Sequence, residues 1–133
     1  HAYVGRWVNL GALTTNSDLK NNYGPVRMWT PEGEVDTGEL KLGCLLGDHV
    51  KTAIGTLLNT GTVVGAGANL FGPGPPPKYV PPFRWGTGPE AGVYDLDRFL
   101  ATAEAVMARR NVTMTAGQRA VLRAAWELAR QAG

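Results

Sequence analysis

The chain has 133 residues, one domain's worth, with 18% charged residues, a formal net charge of +2 and one cysteine. Without a run of lysines or arginines, that balance gives no support to nucleic-acid binding or to attachment at a membrane surface. A lone cysteine forbids an internal disulfide, and no window of about eighteen uninterrupted apolar residues or opening signal segment is present, so a soluble, cytoplasmic chain is expected.

From the start the residues keep a period of six. VGRWVN opens at Val4 and LGALTT at Leu10; the period resumes with LKLGCL at Leu40 and continues as LGDHVK, TAIGTL, LNTGTV and VGAGAN, after which Leu70 opens another unit. Position one is mostly aliphatic (Leu46, Leu58, Val64, Leu70) and position five is small or β-branched (Cys44, Val50, Thr56, Thr62, Ala68). Such a pattern suits a short strand followed by a tight corner, three of which close a triangular coil of about eighteen residues. Glycine at position two (Gly5, Gly11, Gly47, Gly65) relieves crowding near the corner, and the glycine and β-branched content argues against a helix. Seven hexads make only about two and a third coils, which leaves an end coil calling for preceding coils, a cap or a partner.

Residues 16–39 break the period. They are rich in Asn, Gly, Pro and charge, and read as a loop inserted at a corner, of a kind that either turns the backbone or carries binding groups. After the repeats, residues 73–94 hold six of the nine prolines between Pro73 and Pro82, interleaved with Tyr79, Phe83 and Trp85; this is an extended arm whose aromatics pack on the coil or on a neighbouring subunit. Residues 95–133 read as a helical hairpin. Asp95 caps a first helix with Leu96, Phe99, Leu100, Ala103, Val106 and Met107 on one face. Thr115 and Gln118 open a second with Val121, Leu122, Ala125, Leu128 and Ala129, and Trp126 as an anchor. Arg109, Arg110, Arg119, Arg123 and Arg130 read as solvated.

The hexads resemble the hexapeptide-repeat acyltransferases, whose repeats coil into a left-handed parallel β-helix. Together with VNLGALTTNSDLKNNYG, KTAIGTLLNTGTVVGAGANLFG and PPKYVPPFRWG, they look like the C-terminal domain of sugar nucleotidyltransferases related to the bifunctional glucosamine-1-phosphate acetyltransferase and N-acetylglucosamine-1-phosphate uridylyltransferase. The resemblance covers most of the chain. It implies a mainly β fold, with a left-handed parallel β-helix over residues 1–72, a homotrimer, and a nucleotidyltransferase domain upstream of this segment. It also implies acetyl-CoA-dependent acylation of an amino-sugar phosphate, with a sugar phosphate or nucleotide sugar as ligand.

Acyl transfer to an amine needs a base, donors for the developing oxyanion and a groove for the pantetheine arm. His1 lies at the edge of the chain, so His49 is the candidate base, at position four of its hexad and pointing outward from a corner, with Asp48 to orient it. Lys51 is placed to attract a phosphate. Asn22 and Tyr23 resemble an Asn-Tyr pair that in the acetyltransferase helps hold the sugar phosphate and the acyl donor, although Gly24 and Pro25 follow where that family continues with Asp-Gly. Gly65, Ala66 and Gly67 leave backbone amides open for a flat cofactor arm. Two histidines fall short of a three-histidine zinc site, so no metal is expected. The rival reading is a non-catalytic scaffold that trimerises the upstream domain.

Overall fold

A computed structural model describes residues 1–132. The repeats supply two-residue strands: β1 (Tyr3–Val4), β2 (Asn9–Leu10) and β3 (Thr15–Asn16). After the excursion hairpin β4 (Arg27–Thr30) and β5 (Gly33–Asp36) come β6 (Leu45–Leu46), β7 (Lys51–Thr52), β8 (Leu57–Leu58), β9 (Val63–Val64) and β10 (Asn69–Leu70). The proline-rich segment adds β11 (Tyr79–Val80), β12 (Arg84–Trp85) and β13 (Gly92–Val93), and the chain closes with α1 (Leu96–Ala108) and α2 (Ala116–Gln131).

Register follows the sixfold pattern. Leu45 pairs with Val63 and Lys51 with Asn69, each a step of eighteen residues in parallel. Across the excursion the step is forty-two, with Tyr3 on Leu45, Asn9 on Lys51 and Thr15 on Leu57, which is eighteen plus the twenty-four residues 16–39. Past the prolines it shortens to sixteen, with Val63 on Tyr79 and Asn69 on Trp85.

These pairings correct the expectation of a mainly β chain built as a left-handed parallel β-helix. The chain is α/β. Among the described residues thirteen strands, eleven of them two residues long, fall into four small sheets, none of them closed: β1-β6-β9-β11, β13-β12-β10-β7-β2, β3-β8 and β4-β5. Two of the sheets contain antiparallel pairs, β12 with β13 and β4 with β5, and helices of 13 and 16 residues rival the strands in content. The physical reason lies in the hexad itself, which spends two residues on a strand and four on a turn. Position four is left-handed in six of the seven hexads, Gly43 being the exception: Trp7, Leu13, His49, Gly55, Gly61 and Gly67 all have φ between 60° and 76°. A left-handed residue ends a strand, and only glycine takes that conformation freely.

Two cores result. Cys44, Leu46, Val50, Leu58, Val64, Ala68, Leu70 and Val80 form the first, from hexad positions one and five plus one residue of β11. The buried Thr62 hydroxyl donates to the Asn59 carbonyl at 2.8 Å, which removes the cost of an unpaired polar group. Val4 and Leu10, expected to face inward, are half exposed because β1, β2 and β3 are edge strands. The second core joins Phe83, Tyr94, Phe99, Leu100, Ala103, Met107 and Met114, with Trp7, Leu122, Ala125, Trp126 and Ala129 against it.

Asp95 caps α1 by accepting from the Arg98 N–H at 3.0 Å, and Thr115 and Gln118 form a reciprocal capping box at the start of α2. The indole N–H of Trp126 donates to the Tyr94 carbonyl at 2.8 Å and ties α2 to the chain leading into α1. Val121 and Leu128, read as part of the packed stripe of α2, are instead each 67% exposed. The extended arm also differs from expectation. Tyr79 and Val80 enter one ladder and Arg84 and Trp85 another, the prolines lying outside these pairings where no N–H is required.

Gly55 and Gly67 share a left-handed φ, but a Cβ on Gly55 meets nothing within 4 Å whereas one on Gly67 would overlap the Phe83 ring. Gly55→Ala is expected to cost about 1–2 kcal/mol, the backbone term alone, and Gly67→Ala a further ~1–3 kcal/mol from overpacking. Urea unfolding of both variants measures the difference directly; equal losses would mean that Phe83 is not seated on Gly67.

Candidate functional site

His49 sits at a corner between β6 and β7 with φ 65°, and the corner does not present it to solvent. The helical hairpin covers it: the residue is only 6% exposed, and its ring meets Phe99 of α1 edge-on with centroids 5.6 Å apart. Its Nδ1 is buried without a hydrogen-bond partner among the described residues. Burial first, and then the charge of Lys51, holds its pKa below the ordinary 6.5, with Asp48 pulling weakly the other way. At neutral pH the imidazole is therefore uncharged, a suitable state for a base, but Phe99 stands over it.

Asp48 does not orient His49 through a hydrogen bond. Its Oδ1 accepts the Arg6 N–H at 2.7 Å, so the carboxylate stitches one turn to the next. Lys51 lies close by, its ammonium donating to the Trp7 carbonyl at 2.9 Å and the His49 carbonyl at 3.0 Å. Half-burial lowers its pKa to about 8.

The strip expected to receive a cofactor is occupied by the chain itself. The Phe83 N–H donates to the Ala66 carbonyl at 2.8 Å, a Cβ on Gly65 would strike the Pro82 backbone, and a Cβ on Gly67 would strike Phe83. Gly65, Ala66 and Gly67 are small because residues 82–83 lie on them. Their composition signals close approach of a neighbour without saying which neighbour.

Asn22 and Tyr23 belong to a different place. The Asn22 side chain accepts the Gly24 N–H at 2.9 Å in a local turn, and Tyr23, at φ 60°, is 68% exposed. Asn22 lines a polar groove of about 400 Å³ with Ser17, Lys20, Asn21, Asn59, Thr60 and Lys78. None of these residues lines the cleft that contains Lys51. That second cleft, about 390 Å³, lies between Trp7, Val8 and Asn9 on one side and Val106, Arg109 and Arg110 at the end of α1 on the other. Thus the structure keeps His49 and Lys51 together, separates both from Asn22 and Tyr23, and adds Arg109 and Arg110, which sequence reasoning left as solvated. The signal for them was slight: two adjacent arginines where the apolar stripe of α1 ends.

Neither the family models nor the curated proteins contain a match to the sequence. Among the described residues no group of three His, Cys, Asp or Glu side chains is arranged to hold a metal ion, and no helix is long and apolar enough to cross a membrane.

The buried histidine makes a pH prediction. Its folded pKa lies below its unfolded one, so as the pH falls through 6.5 the unfolded chain takes up the proton first, and stability present above 6.5 is lost. Lys51, lowered to about 8 in the folded chain, is mostly protonated over this range and adds only a shallow slope of the same sign, common to both proteins compared. The urea midpoint is expected to drop between pH 7 and pH 5.5, and to drop less in His49→Asn, a residue that tolerates the left-handed turn. Identical pH dependence in the two proteins would show that His49 is not buried in its neutral form.

Proposed function

We propose that this segment is an assembly module: it holds three copies of the chain together and, as the resemblance of its hexads to sugar nucleotidyltransferases implies, serves a sugar-nucleotide enzyme of the cytoplasm. The observation that carries this reading is an apolar corner. Turns 11–14 and 53–56 stack directly, with the Gly55 N–H donating to the Ala12 carbonyl at 2.8 Å. From these turns Leu13 projects at 81% exposure and Ile54 at 76%, and Leu57 follows at 56%. Ile54 and Leu57 border a cleft of about 260 Å³ whose other walls are Leu70, Phe71, Pro75 and Pro76. Scattered exposed aliphatics need no explanation, but a contiguous set beside an apolar cleft on a rigid turn marks an interaction surface.

The geometry favours copies of the same chain. An identical copy would bring the same exposed Leu13, Ile54 and Leu57, and a closed cyclic arrangement of copies would cover this corner in every member. Leu13 also holds an unfavourable left-handed φ of 64°, a strain of order 1–2 kcal/mol, while burying little within its own chain. Contact with a neighbour would offset it.

Acetyl-CoA-dependent acyl transfer is the weaker reading of this segment. The base it requires lies under Phe99, the strip it assigns to the cofactor carries residues 82–83, and its two sugar-phosphate contacts, Asn22 and Tyr23, sit away from both.

Light scattering on the purified chain is expected to return three times the 14.2 kDa chain mass. Ile54→Asp with Leu13→Asp is expected to shift it to monomer without loss of helical circular dichroism. A monomeric wild-type chain at micromolar concentration would remove this proposal.

A further inference from the structure

We propose that the cleft between the β2–β7 rungs and the end of α1 is an anion site, built from Lys51, Arg109 and Arg110 to take the phosphate groups of a small phosphorylated molecule. The inference stands apart from the assembly reading, since the apolar corner and this cleft share no lining residue.

Three cations line a space of about 390 Å³, and no acidic residue lines it. Among the described residues, none of the three takes part in an ion pair, although Arg27 and Arg119 elsewhere each have a carboxylate. Two arginines at the end of a helix have an ordinary explanation in the helix dipole. Lys51 does not share it. It comes from β7, forty-four residues beyond the Trp7 carbonyl that it holds, and its placement beside the arginines is made by the packing of α1 over the sheets.

With no carboxylate among the residues lining the cleft, the three positive charges have no counter-charge there. The hydrogen bonds of Lys51 are also incomplete. An ammonium has three N–H donors; two are spent on the Trp7 and His49 carbonyls, and the third has no acceptor among the described residues. A phosphate oxygen at that point would satisfy the donor and receive the forked donors of the guanidinium groups. The volume lies within the range of small-molecule sites, large enough for a diphosphate with part of an attached group. Trp7, held at φ 60° against the preference of a bulky residue, forms one wall and gives an organic moiety an apolar face.

The test is calorimetric titration of the full chain with inorganic pyrophosphate at pH 7 and low salt. Saturable binding of one pyrophosphate per chain is expected, with a Kd below about 1 mM. Arg110→Ala and Arg123→Ala each remove one positive charge from an exposed position, but Arg123 lies on α2 outside the cleft. A tenfold or greater loss for Arg110→Ala, with less than a twofold loss for Arg123→Ala, supports the site. Adenosine diphosphate separates the ligand classes: tighter binding than pyrophosphate assigns the organic part to Trp7, and equal binding assigns recognition to the phosphates alone. Absence of saturation, or equal losses in the two variants, overturns the proposal.

Discussion

Phe83 is the joint on which the two halves of the molecule meet. Its ring lies over Gly67 and against Phe99 of α1, with centroids 5.0 Å apart, while its backbone donates to Ala66 and accepts from Tyr94 at 2.7 Å. One residue thus extends the ladder, floors the helical hairpin and fixes the segment between them. It does so in a left-handed conformation, φ 58°, that an aromatic residue adopts only when its surroundings insist. Without that seat the hairpin would have little to rest on, because α2 buries none of its residues fully and reaches the rest of the chain through Leu122, Ala125, Trp126 and Ala129. His49 would lose its cover, and the end of α1 would no longer stand opposite Lys51.

Much of the local structure was legible because it is dictated by local chemistry. Six-residue spacing of Leu46, Leu58, Val64 and Leu70 located the first core, and the caps at Asp95, Thr115 and Gln118 located the helices, since a carboxylate or hydroxyl must lie within hydrogen-bond reach of an unpaired amide wherever the chain goes next. The twenty-four-residue excursion was legible for the same reason: the period stops and resumes. What pairs with what beyond the local step was less so. Prolines suggested an extended arm whose aromatics pack on the coil or on a neighbour, yet a proline at 81 or 82 forbids only its own donor, and Tyr79, Val80, Arg84 and Trp85 on either side remained able to pair.

The candidate site was read less well, and His49 explains why. Hexad spacing correctly put it at a corner, and a corner of an isolated coil faces water. Whether α1 folds back over that corner depends on Phe83 and Phe99, which are thirty-four and fifty residues away. The small residues at Gly65, Ala66 and Gly67 recorded that something comes close, and could not distinguish a cofactor from residues 82–83 of the same chain. Arg109 and Arg110 were invisible for the opposite reason: taken alone they are ordinary helix-end residues, and only the cross-chain approach of Lys51 gives them company.

The uneven spacing of the rungs also bears on the order in which the molecule is put together. The pairs β6–β9 and β7–β10 close over steps of eighteen residues, whereas β1, β2 and β3 must close over forty-two. The chain-entropy difference is under about 1 kcal/mol per closure, yet it acts on the strands that are also the most exposed and that pair on one side only. Assembly of the central rungs first, with the N-terminal rung zipping on last and fraying first, follows from both facts. In the language of hydrogen exchange, the amides of Tyr3, Asn9 and Thr15 belong to the cooperative unit of lowest stability, and those of Lys51 and Gly65, deep in the ladders, to the unit that opens only when the whole chain unfolds.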